Sequence, residues 1–171
     1  MTSLNSIDHT TRLYRAFHEA GHCAAAFITC ADVEFLELFA AGGGRCRVLR
    51  SDDRNQARFI AAAGYAVEFI LHRTGRLVAS GNVKLSDKEF INLSMANAWD
   101  DKKAFFGGDY SQGEEAWPAE MDEEFMTFGW TDVSIRLQRW MPAIEVIAGR
   151  LEIESILSGE DARKVFELHG L

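Results

Sequence analysis

Two histidines four residues apart, with a glutamate directly after the first, stand near the start of the chain as His18, Glu19 and His22 in HEAGH. Residues four apart on an α-helix lie one above the other on the same face, so both imidazoles can point at one ion. Zinc takes imidazole nitrogen at about 2.0–2.1 Å in tetrahedral sites. A glutamate beside such a pair can act as general base toward a water acidified by the ion, which gives the HExxH pattern a hydrolytic mechanism. With 5 histidines and 15 glutamates in 171 residues, a shuffled chain of this composition carries HExxH roughly one time in a hundred. The other three histidines, His9, His72 and His169, have no partner at ligand spacing and read as surface or capping residues.

The elements that must position these residues read as mostly helical. An apolar stripe of Leu13, Phe17, Ala20, Ala24, Phe27 and Ile28 predicts a helix over about 8–30 with Asp8 as N-cap, so that HEAGH sits in its middle. Gly21, between the two histidines, leaves room for close approach of another segment. VEFLELFA and RCRVL, joined through Ala41, Gly42, Gly43 and Gly44, predict a hairpin or pair of short strands. A second helix is expected over 51–73, with the small residues of AAAGYA admitting a neighbouring helix. Ser86 and Glu89 form a capping-box pattern that opens a third helix running to about residue 105. Further helices are expected over 120–140, from Pro142, and after a cap at Ser158. The fold class expected is mainly α (α+β), a helical metallopeptidase-like domain with a small β-hairpin providing an edge strand, spanning 1–171 as a single domain.

Composition narrows the function classes. The balance of 47% hydrophobic and 26% charged residues is that of a globular chain, and the net charge of −8 disfavours phosphate backbones and anionic lipid. Nucleic acid and membrane are therefore not expected partners. No apolar run reaches the length of a membrane span, and MTSLNSIDHTTRLYR has no apolar leader segment. Cys23, Cys30 and Cys46 are odd in number and never spaced as CxxC, which points to reduced thiols and a cytoplasmic location. Trp99, Trp117, Trp130 and Trp140 read as core or interface anchors, and the acidic run from Glu114 to Glu124 as a solvated face.

AFHEAGHCAAAF resembles the site helix of the peptidase domain of FtsH-type ATP-dependent zinc metalloproteases. AAGGGR is similar to that family's glycine-bearing edge strand, AAAGYAVEFIL to its small-residue helix, and IEVIAGRLEIESILSGEDARKVFEL to its C-terminal helices. HEAGH is the specific part of the likeness. The ATPase module and membrane anchors of that family have no counterpart here. The resemblance implies zinc as cofactor, with His18 and His22 as ligands, Glu19 as catalytic base, and a third ligand that is an Asp at the start of a helix after a glycine-bearing loop. Asp109 in GGDYSQ is the best match to that description. Glu68 is the main rival, and Asp87, Asp100 and Asp101 are the remaining candidates.

The function expected is zinc-dependent endopeptidase cleavage of flexible or unfolded polypeptide, with the substrate adding as a strand along 35–48. The alternative is a binding or regulatory domain that keeps the metal without general proteolysis. A protein partner or a homo-oligomer is compatible with either.

Overall fold

The computed structural model describes residues 6–49, 53–107 and 118–170. In chain order the elements are β1 (Ile7–Asp8), α1 (Arg12–Ile28), β2 (Val33–Leu38), β3 (Gly44–Val48), α2 (Arg54–Ala61), α3 (Ala63–Arg73), β4 (Leu77–Ala79), β5 (Val83–Lys84), α4 (Asp87–Asn97) and α5 (Trp99–Phe106). They continue with α6 (Ala119–Phe128), a π-helical turn (Gly129–Val133), α7 (Ser134–Leu137), a 3₁₀ turn (Gln138–Trp140), α8 (Met141–Glu154), β6 (Ile156–Ser158) and α9 (Gly159–Leu168). The fold is mainly α with little β, as the sequence patterning implies.

Helix α1 runs through the centre, packed between α3 and α8. Its buried residues include Tyr14, Phe17, Ala20, Cys23, Ala24 and Phe27, so the apolar stripe does face the core. The N-cap is Thr11 rather than Asp8, because Asp8 ends β1 and its carboxylate accepts from the Thr10 amide and hydroxyl instead. Gly21 lets α3 approach closely: a Cβ there would lie 2.7 Å from the Ala63 carbonyl oxygen and 2.8 Å from Val67. The small residues at this crossing replace side-chain bulk with backbone proximity.

The expected helix over 51–73 is two helices. Asp53 caps α2 through the amides of Asn55 and Gln56, and the ladder breaks at Ala62, whose backbone (φ −80, ψ −3) joins α2 to α3. The third helix opens on the Ser86–Glu89 capping box as predicted and likewise breaks, at Ala98, before α5. The helix expected over 120–140 is interrupted at Gly129, where a Cβ would stand 2.7 Å from the Tyr65 ring; the backbone widens there into a π turn. Pro142 occupies the first turn of α8, and Ser158 caps α9 by accepting from the Asp161 amide.

The hairpin forms as predicted, with Leu36 opposite Cys46 and Leu38 opposite Gly44. A third strand not expected from sequence, β6, pairs antiparallel on the other side of β2, so the order is β3-β2-β6 and β3 is an edge. A second small sheet has the order β1-β4-β5. No described helix is long and apolar enough to cross a membrane.

Candidate metal centre

One turn of α1 presents His18 and His22 on the same side, and two further elements meet them there. The His22 Nδ1–H donates to the Ile60 carbonyl oxygen at 2.8 Å. That carbonyl belongs to the last turn of α2, where carbonyls lack the next turn's amides. A carbonyl can only accept, so this bond fixes a proton on Nδ1, and in the neutral ring Nε2 is the lone pair. The His18 Nδ1–H donates to Glu68 Oε1 at 2.8 Å, with Glu68 only 1% exposed on α3. Gly64, one turn earlier on α3, gives the His18 ring its space: a Cβ at 64 would come within 2.5 Å of the imidazole.

The two Nε2 atoms face one another at 3.1 Å. Asp101, in the first turn of α5, brings its carboxylate to the same point, with Oδ2 3.0 Å from His18 Nε2 and Oδ1 3.3 Å from His22 Nε2. Helix α5 is held against α2 by Arg54, which donates to the Phe106 carbonyl, and by Arg58, which lies 4.2 Å over the Phe105 ring.

These separations suit a shared ion. With zinc–ligand bonds of about 2.0–2.1 Å, the edge of a tetrahedron is about 3.3–3.4 Å. His18, His22 and Asp101 form a group able to hold a metal ion among the described residues, and two imidazoles with one carboxylate are an accepted zinc donor set. Each imidazole is already oriented by a partner on its other nitrogen, as metal-ligating histidines are. The residues present therefore fit zinc.

The charges of these residues favour positive charge at this point. Burial works against charge on His18 and His22, but Asp101 outweighs it, aided at His18 by the Glu68 hydrogen bond and at His22 by the Glu19 charge. The His18 value rises well above its ordinary range and that of His22 is pushed up to about 9. Burial would raise Asp101, yet the two histidines hold its carboxyl well below the usual carboxylate range. Glu19 is 7% exposed, and burial raises its value against the opposing pull of His18 and His22. It lies beside β3, where a Cβ on Gly44 would come 2.9 Å from its Cγ.

The centre opens into a cleft of 1310 Å³ walled by α1, α5 and the β3 edge, with Tyr14, Arg15, Gly44 and Cys46 among its lining residues. Of the third-ligand candidates, Asp109 lies outside the described residues. Glu68 meets the back of His18, and Asp87 bonds His72 Nε2 at 2.7 Å in another part of the molecule. Asp100 pairs with Lys103. Asp101 had a usable sequence signal, since it opens a helix as the resemblance requires, although no glycine-bearing loop precedes it. His72 lies in the last turn of α3, where a capping role is expected, but it is buried rather than on the surface: it is 6% exposed and stacks on Phe90 at 4.4 Å. Trp140 is buried and Trp117 lies outside the described residues.

Residues 5–83 match the sequence model of a family described as Peptidase M50B-like. The matched span, just under half of the chain, holds HEAGH, the hairpin, and Gly64 and Glu68, and ends before Asp101. Among curated proteins none matches the chain. The family match supports a peptidase family and a metallopeptidase-related function; it is not to the FtsH family in particular.

Proposed function

We propose that this chain is a zinc-dependent endopeptidase in which His18, His22 and Asp101 hold the ion and Glu19 is the general base. The observation that carries this reading is the convergence of two oriented Nε2 atoms and one carboxylate at 3.0–3.3 Å, with Glu19 on the same helix. Zinc bound there supplies Lewis acidity, which acidifies a water and polarises a carbonyl. Glu19 takes a proton from the attacking water and passes it to the leaving amine. Burial raises the Glu19 value and so makes it a better acceptor than an exposed carboxylate.

The substrate is a flexible polypeptide segment. It adds as a strand to the free edge of β3, whose residues Gly44, Arg45, Cys46 and Val48 line the cleft. Main-chain bonding of that kind positions a peptide with little sequence preference. We read 1–171 as one peptidase domain that resembles the FtsH type in its motifs, working in a reducing compartment such as the cytoplasm.

The test is digestion of an unfolded protein by zinc-loaded parent and Glu19→Gln chains. The expected loss in Glu19→Gln is about 10²–10⁴-fold in kcat, with zinc retained at one ion per chain. Equal digestion by both overturns the peptidase reading and leaves a metal-holding binding domain.

A further inference from the structure

Arg15 lines the cleft on the same face of α1 as the metal ligands, three residues before His18 and four before Glu19. Neighbours at these spacings have Cβ atoms about 5–6 Å apart. Arg45, Arg47, Arg58, Arg76, Arg150 and Arg163 each hold a carboxylate. Arg15 is half-buried and holds none among the described residues, Glu19 included. Arg12 and Arg54 are held instead by carbonyls and a hydroxyl, and Arg136 and Arg139 by aromatic rings, whereas Arg15 stands in the cleft wall with a guanidinium able to take an anion.

The turn between β2 and β3 is shaped around this side chain. Gly42 has φ +105, which an L side chain rarely adopts, and a Cβ there would lie 3.2 Å from Arg15 Nη1 and 3.5 Å from Cζ. The glycine turn thus lays bare backbone against the guanidinium of a side chain that lines the cleft.

We propose that Arg15 is a specificity-determining residue that takes a substrate carboxylate close to the scissile bond. A guanidinium fork matches a carboxylate with two parallel hydrogen bonds. Its place one helical turn from the base, against about 3.3–3.6 Å per extended residue, puts that carboxylate within about two residues of the reacting carbonyl. The preferred substrates are therefore peptides carrying an acidic side chain there, or ending there in a free C-terminus. This inference rests on the peptidase reading for the word substrate, but its binding step needs no hydrolysis.

The experiment measures peptide binding to the zinc-loaded Glu19→Gln chain by fluorescence anisotropy, so that failure of catalysis does not affect the readout. Three labelled peptides share one neutral sequence: a C-terminal amide, the C-terminal acid, and the amide with one internal Glu. One or both carboxylate peptides should bind about 10- to 100-fold more tightly than the neutral amide, and whichever does identifies the source of the carboxylate. Adding Arg15→Gln should bring that ratio close to one, whereas Arg15→Lys should keep part of it; circular dichroism checks that each variant is folded. Equal or undetectable binding of all three peptides overturns the proposal. So does a preference for carboxylate that survives Arg15→Gln.

Discussion

The two flanks of the candidate metal centre are built differently. On the α1 flank, His18 and His22 come from one helix at one-turn spacing, and each is oriented from behind by α3 or the end of α2. On the other flank Asp101 comes from an eight-residue helix about eighty positions away in sequence, held against α2 by Arg54 and Arg58. The first flank has its geometry from local periodicity and close helix packing, while the second depends on tertiary docking. A two-histidine motif can therefore be pre-formed before the third ligand arrives.

The sharpest way to break this comparison is to remove the docked ligand. Asp101→Asn should weaken zinc binding by roughly 100-fold or more, beyond the ~10–100-fold typical of outer partners, while Asp109→Asn should leave it close to the parent value. Competition against a chromophoric chelator measures both, and the opposite order would assign the third ligand to Asp109. A smaller effect is expected on the pre-formed flank. Glu68→Gln removes the charge behind His18 and should cost about 10–100-fold in zinc affinity, read in the same assay.

The smallest effect sharpens the comparison by lying outside the site. The hydrogen bond from His72 holds the Asp87 carboxyl below its ordinary value. A carboxyl depressed in the folded state contributes stability that is present above its unfolded value of about 3.9 and lost as pH falls through the folded value. Urea midpoints of parent and Asp87→Asn chains should thus differ by a constant amount above about pH 5 and converge in acid. Zinc affinity at neutral pH should not change.

What could be read from the sequence follows the same division. HEAGH, the Ser86–Glu89 box, the Ser158 cap and the glycine-joined hairpin are encoded within a few residues, and the structure contains each helix start and strand pair they imply. The breaks at Ala62 and Ala98 were not legible, because alanine is the strongest helix former and only tertiary packing interrupts it there. Strand β6 escaped for a similar reason: three residues after a long helix carry no periodicity of their own. Asp101 was one of several candidate acids since nothing local distinguishes it from Asp100, and their different roles depend on which way α5 docks. The sequence makes Glu68 a rival ligand, whereas in the structure it bonds His18 Nδ1, across the ring from the Nε2 that meets Asp101.

The break at Ala62 has a consequence for how the two histidines tolerate change. In a continuous helix the Ile60 carbonyl would also serve the amide of Gly64, and the bond from His22 would share it. Because the ladder stops, His22 leans on main chain, which no single side-chain substitution at position 60 removes. His18 leans on a carboxylate that one codon change can delete. Of two candidate ligands that look equivalent in the motif, one is insulated from mutation and the other exposed to it, so on the proposed reading loss of metal binding in a diverging descendant would begin on the His18 side.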